Sequence, residues 1–265
     1  MLRALELRQL RPEQLRRLRE TLDRLLAEAR GWTDAQKQEA LDLARKWLDQ
    51  ARARRKTKEA ARLRERAGAD EFTPAEQADL FQDLADETAQ LIADTAARVG
   101  AGEITPHQFY LDMERYITLH WRAAYIVGKV AAGGDEKLTR SEEKALWAAR
   151  NEQIKYLNKF YQAVRDGQLS AAQIGARAGL YARAIQAPYH RGQAGAYGDL
   201  RLPQVPGDGK TRCRTNCQCR LRYELVHDAD GNVVAVNVYW ELGVAEHCDD
   251  CIGLAARWNP LRVEV

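Results

Sequence analysis

Cysteine is absent from the first 212 residues of this 265-residue chain. All five cysteines lie in the last fifth, in two short groups: Cys213, Cys217 and Cys219, followed by Cys248 and Cys251. A cluster this local predicts either a metal site or a pair of disulfides, because both need thiols close together. It also indicates a small module attached to a larger body, and that body needs neither a metal nor disulfides.

Long apolar runs are absent as well. No stretch approaches the about 18 consecutive apolar residues that predict a membrane-spanning helix. Residues 1–10 lack the continuous apolar segment and the cleavage site of a secretory signal. We therefore expect no membrane partner and synthesis in the cytoplasm, where a thiol cluster is more often a zinc site than a disulfide framework.

The chain also lacks an excess of one charge. Lys and Arg number 41 against 38 Asp and Glu, which leaves a net charge of +3. Domains that bind nucleic acid on their own are usually strongly basic, so this balance argues against that class. The chain before residue 200 shows no paired-acid, nucleophile–base or phosphate-loop motif, and we expect no enzymatic activity.

From about residue 11 to residue 200 the sequence predicts one amphipathic helix after another, so the expected fold class is mainly α. Helix starts are indicated by proline at the first helical position, by a Ser or Thr cap with Glu or Gln three residues later, or by a Ser cap alone. The predicted starts lie at Pro12, Thr33, Thr73, Thr105, Ser141 and Ser170. The helix after Thr105 is rich in aromatic side chains, which we interpret as core packing.

Basic residues concentrate in the predicted helical segment 51–66. Its candidate contact residues are Arg52, Arg54, Arg55, Lys56, Lys58 and Arg62. We interpret this segment first as a solvated extension of the helix, and the alternative is an arm that contacts phosphate groups, such as those of packaged DNA, or a partner surface.

Helical periodicity ends near residue 200. Pro188 interrupts the pattern and indicates a kink or a boundary. The residues that follow, up to Gly209, are rich in glycine and proline and predict an irregular linker. We therefore expect a helical body at residues 1–200 and a cysteine-rich module at residues 201–265.

The module has the pattern of a β-hairpin. Apolar residues alternate with polar ones on both sides of a turn signal, Asp228 to Asn232. The segment from Asp249 to Trp258 then predicts a short helix that Pro260 ends. Trp240 and Trp258 are the expected core of this module.

This hairpin brings the two cysteine groups to the same end, opposite its turn. Zinc takes four soft ligands in a tetrahedron, and Cys217, Cys219, Cys248 and Cys251 are the predicted set. Cys213 and His247 are spare candidates, and Cys213 could replace Cys219. A site closed by four thiolates has no open position for water, so the predicted role is structural.

Two catalytic interpretations of the cluster stay open beside the structural one. His247 or Glu246 could serve zinc-dependent hydrolysis, and the Cys248-x-x-Cys251 pair could serve redox chemistry. The redox interpretation lacks the surrounding βαβ pattern, and the hydrolytic one needs an open coordination position.

Three stretches of the last ninety residues resemble a known family. The loop from Leu202 leads to Asn216-Cys217-Gln218-Cys219, and His247 opens a Cys248-x-x-Cys251 element. Upstream, the helix from Arg177 to Gln186 continues into Tyr189-His-Arg-Gly. Together these stretches are similar to the C-terminal region of tailed-phage minor head proteins of the Mu F-like, head-morphogenesis type. In that family Asn-Cys-Arg-Cys usually follows the Cys-x-x-Cys element; here it precedes it.

The resemblance implies a virion protein present in few copies, without enzymatic activity. It would associate with portal or capsid subunits and act in head assembly or DNA delivery, and self-association through its helices is a further expectation. The alternative is a free zinc-containing nucleic-acid-binding protein, and a zinc hydrolase ranks last.

Overall fold

The structure is a computed structural model that describes residues 31–56, 72–198, 200, 202–243 and 246–264. The predicted helix at Pro12 and the basic residues Lys58 and Arg62 lie outside the described residues. For residues 51–56 the structure describes the backbone alone, as the end of a helix. In the described ranges, no helix combines the length and the apolar character needed to cross a membrane.

The predicted fold class is confirmed: the chain is mainly helical and carries a small three-stranded antiparallel sheet near its C-terminus. In the body the helices are α1 (Asp34–Lys56), α2 (Pro74–Gly100), α3 (Pro106–Ala131), α4 (Arg140–Arg165), α5 (Ala171–Arg183) and α6 (Gln186–Gly195). Helix α3 lies at the centre of the first hydrophobic core, where Phe109, Met113 and Ile126 are fully buried. The aromatic side chains of α3 thus pack in the core, as predicted.

Most of the predicted helix caps are confirmed. The Thr33 hydroxyl accepts from the Gln36 backbone N–H at 3.2 Å, and Thr73, Thr105 and Ser170 cap α2, α3 and α5 in the same way. The cap predicted at Ser141 is wrong, because α4 begins after Thr139. Glu142, three residues after Thr139, completes a capping box there.

The linker predicted after Pro188 is also partly wrong, because residues 186–195 form the buried helix α6. Pro188 lies in its first turn, where a missing N–H costs little. Two glycines allow α3 and α6 to cross closely. A Cβ at Gly192 would lie 2.0 Å from the Tyr125 carbonyl oxygen, and a Cβ at Gly128 would lie 2.1 Å from the Tyr189 carbonyl oxygen. Helices α3 and α6 therefore meet backbone to backbone.

Helix α6 also faces a second hydrophobic core. Its Tyr189 belongs to the first core, whereas Ala187 and Ala194 belong to a cluster with the sheet and with Trp240 and Trp258. The rings of these two tryptophans pack edge to face at 5.5 Å, which confirms the predicted core of the module. The division of the chain near residue 200 stays a prediction.

The predicted hairpin is confirmed as β1 (Arg220–His227) and β2 (Val233–Glu241), with Leu221 opposite Trp240. The predicted short helix is α7 (Asp249–Arg257). After Pro260 the chain forms a third strand, β3 (Leu261–Glu264), which pairs antiparallel with β2. This strand was not predicted, since four residues are too few to show an alternating pattern.

Candidate metal centre

The five cysteines come from three local structures at the end of the hairpin opposite its turn. Cys213 and Cys217 flank a single 3₁₀ turn, Arg214–Asn216, in which Arg214 adopts a positive φ of 51°. Cys219 directly precedes β1, whereas Cys248 is the N-cap of α7 and Cys251 lies in its first turn. The predicted meeting of the two cysteine groups is therefore confirmed.

The sulfur atoms form two groups that share one member. Cys213, Cys248 and Cys251 lie within 4.8 Å of one another, as do Cys217, Cys219 and Cys251. The Sγ of Cys251 is 3.5 Å from that of Cys213 and 3.7 Å from that of Cys217. A tetrahedral ion with bonds of about 2.3 Å to sulfur separates its ligands by about 3.8 Å. The five free thiols thus lie close enough to hold a metal ion.

His247 joins this cluster beside Cys219. Its Nδ1 lies 3.7 Å from the Cys219 Sγ, and its Nε2 lies 2.9 Å from the Gly243 carbonyl oxygen. A carbonyl can only accept, so Nε2 donates, and in the neutral imidazole the Nδ1 lone pair then faces the sulfur. Metal-binding histidines are commonly oriented by such a hydrogen bond from the other ring nitrogen.

All the metal ligands that the sequence predicted lie close together, but they are not grouped as predicted. Cys219 and Cys248 belong to different groups of three, and the spare candidate Cys213 lies against Cys251. The other spare, His247, contacts Cys219. The predicted ligand set, and the variant with Cys213 in place of Cys219, both stay predictions.

The pKa values of the clustered thiols are shifted in different directions. A hydrogen bond from the Cys219 thiol is the main cause that lowers the pKa of Cys217 to about 5, against the opposing effect of burial. The same hydrogen bond, followed by burial, raises the pKa of Cys219. Burial opposes ionisation of Cys248, but hydrogen bonds from the backbone N–H groups of Cys251 and Cys213 bring its pKa below the usual value. Metal binding to such a cluster requires thiolates and so releases protons.

Several contacts that the sequence did not indicate hold the cluster in place. The Gln186 side chain of α6 donates to the Cys219 carbonyl at 3.1 Å, and Arg183 of α5 donates to the Asn216 side chain. The Arg212 backbone N–H donates to the Asp250 carboxylate at 2.7 Å. These contacts join residues far apart in sequence, and no local pattern signals them.

A small pocket opens from the sulfur atoms to the surface. Besides four of the cysteines, its lining residues are Asn216, Gln218, Glu246 and His247. Cys213 and Cys248, which line this pocket, are only partly buried.

Comparison with known proteins finds no relative of this chain. No family model, no curated protein and no solved structure matches this chain. A functional assignment therefore rests on the geometry of the thiol cluster and on the sequence itself.

The basic contact candidates have no described side-chain geometry. Arg52, Arg54, Arg55 and Lys56 lie in the last turns of α1, where only the backbone is described, and Lys58 and Arg62 lie beyond it. Their role as a contact with DNA or a partner stays a prediction.

Proposed function

We propose that this protein is a non-enzymatic structural component of a tailed-phage head, and that zinc bound by the cysteine cluster stabilises its C-terminal module. The observation that carries the proposal is the convergence of five free thiols and His247 at one end of a small hairpin. Thiolate-rich tetrahedral sites select zinc among the common metal ions, and sites closed by protein ligands are typically structural.

The size of the module supports a stabilising role for the ion. Among the described residues from 202 to 264, the regular elements are a single 3₁₀ turn, a short hairpin, one further strand and the helix α7, and α6 completes their core. A segment of about 60 residues buries only about 60% of the surface that its unfolded chain exposes, so its stability is marginal without a partner, disulfides or a metal. A metal that joins the turn before β1 to the start of α7 would close this module on itself.

The phage assignment is supported by how the resembling stretches meet. Asn216 to Cys219 and Cys248 to Cys251 supply four of the five clustered cysteines. Gln186, within the upstream stretch, donates to the Cys219 carbonyl. The three stretches that resemble minor head proteins thus form one structural unit, and we propose portal or capsid subunits as its partners and the virion as its location.

Nucleic-acid binding by the hairpin receives less support. Arg220 and Arg222 both pair with Glu241, through N–O distances of 2.9 and 2.7 Å. The Arg222 guanidinium also lies over the Tyr239 ring, 3.8 Å from its centroid. Since neighbouring groups of the sheet already engage these cations, they would contribute little to a phosphate-binding surface.

Particles of the phage that encodes this chain provide the test. Quantitative mass spectrometry of purified particles should detect the chain at far fewer copies than the major capsid protein. In a strain lacking the gene, a plasmid-borne wild-type copy should restore infectious particles, whereas Cys251→Ser should not. Val233→Thr, at an exposed position of β2, is the matched control and should restore them. Absence of the chain from purified particles would overturn the assignment to the head.

A further inference from the structure

The cluster holds more donors than one zinc ion can use. Five thiols and the Nδ1 of His247 make six donors, and a tetrahedral ion takes four. The proposed structural zinc therefore leaves two donors without a role. In any set of four that includes both Cys213 and Cys248, those two are drawn from Cys217, Cys219, Cys251 and His247.

The arrangement of the donors around Cys217 and Cys251 removes this excess. The sulfur atoms of these two residues are 3.7 Å apart, and Cys251 is common to both groups of three. Cys213 and Cys248 form one group of three with Cys251, and Cys217 and Cys219 form the other. His247 Nδ1 lies 3.7 Å from the Cys219 sulfur. The Cys217 thiol also interacts with both Cys213 and Cys219.

We propose that the cluster binds two zinc ions that share the thiolates of Cys217 and Cys251. This inference rests on the proposed structural zinc and specifies its number and ligands. One ion is held by Cys213, Cys248 and the shared pair, and the other by Cys219, His247 and the same pair. Two tetrahedral ions that share two ligands need six donors, which is the number present.

The charge of the complete site is compatible with this arrangement. Five thiolates, one neutral imidazole and two divalent ions leave a net charge of about −1, which equals that of one ion with three thiolates and one imidazole and is smaller than the about −2 of one ion with four thiolates. Cys217, Cys219 and Cys251 are buried, and burying less net charge costs less. The hydrogen bond from His247 Nε2 to the Gly243 carbonyl also turns Nδ1 towards the Cys219 sulfur.

A count of bound zinc tests the inference. Native mass spectrometry of the full chain, purified with zinc and without chelator, should show two ions per chain. The double variant Cys219→Ser/His247→Ala removes the private donors of one ion and should bind one. His227→Ala, which removes an exposed histidine at the end of β1, is the matched control and should keep two. One ion in the wild-type chain would overturn the shared-thiolate arrangement but leave the proposed function intact, whereas none would overturn both.

A measurement on the unmodified chain covers the case in which the double variant fails to fold. Replacement of zinc by ¹¹³Cd should give two cadmium resonances of equal intensity, one from a four-sulfur site and one from a site with three sulfurs and one nitrogen. A single resonance that accounts for all bound cadmium would contradict the proposal.

Discussion

At the scale of single residues, two glycines determine how α6 joins the body. Gly128 and Gly192 face each other where α3 and α6 cross, and each leaves room for a backbone carbonyl of the other helix. Buried polar contacts accompany the crossing: the Gln193 amide donates to the Gln77 side chain at 2.9 Å and accepts from His190 Nδ1 at 2.8 Å. The segment predicted as a linker is therefore a packing element.

Substitution of Gly192 tests this crossing. In Gly192→Ala the new Cβ would meet the Tyr125 carbonyl, so the helices must separate, and we expect a loss of unfolding free energy of about 1–3 kcal/mol. Gly175→Ala is the matched control, because this exposed position of α5 has nothing within 4 Å of the new Cβ. There alanine should stabilise by about 0.5–1 kcal/mol through helix propensity. Urea unfolding of both variants checks the pair, and equal effects would contradict a backbone contact.

At the scale of elements, α4 was predicted correctly as a helix, but its cap residue was predicted wrongly. Ser141 was predicted as the cap, but the cap is Thr139, which forms a capping box with Glu142, whereas Ser141 is followed three residues later by Lys144. Glu142 also accepts from Tyr125 at 2.9 Å and from Lys129 at 3.2 Å. The start of α4 is thereby fixed against α3.

Alanine substitutions can separate the two cap positions. Thr139→Ala removes the acceptor for the Glu142 backbone N–H, and we expect it to cost about 1 kcal/mol of unfolding free energy. Ser141→Ala should change the unfolding free energy by less than about 0.5 kcal/mol, since exposed helix positions tolerate alanine. Thermal unfolding followed by circular dichroism measures both. A larger loss for the Ser141 variant would show that the cap lies there.

The sequence predicted the elements that carry a local signal. Helices with capping boxes, the hairpin around Asp228–Asn232 and the helix after Cys248 are all present. Helix α6 and strand β3 were missed, because the first depends on glycines that fit a neighbouring backbone and the second on pairing with β2. The same distinction applies to the site: cysteine spacing predicted the cluster, but the contacts of Gln186 and Arg183 arise only from the fold.

At the scale of the whole molecule, two buried histidines couple the stability of the body to pH. Burial is the main cause that lowers the pKa values of His120 and His190 to about 4. Their ordinary value is about 6.5, so the unfolded chain binds more protons between these limits. The stabilisation from the neutral histidines is therefore complete above about pH 6.5 and is lost as the pH falls towards 4.

A histidine variant isolates this effect from acid-induced changes at the thiols. We expect His190→Gln to reduce the loss of unfolding free energy between pH 7 and pH 4 by up to about 3 kcal/mol, since each pKa unit corresponds to about 1.4 kcal/mol. His107→Gln, at an exposed position, is the control. Urea unfolding at both pH values provides the comparison, and identical pH profiles for wild type and His190→Gln would contradict the assignment.

A metal ion bound by the cysteines is proposed to hold the C-terminal module together. Hydrogen exchange with and without a strong zinc chelator, in the absence of reductant, tests this proposal most directly. We expect chelation to remove protection from β1, β2 and α7 while α2, α3 and α4 keep theirs. Protection of β1 and β2 that survives chelation, and is lost only when a reductant is added, would show that disulfides and not a metal join the cysteines.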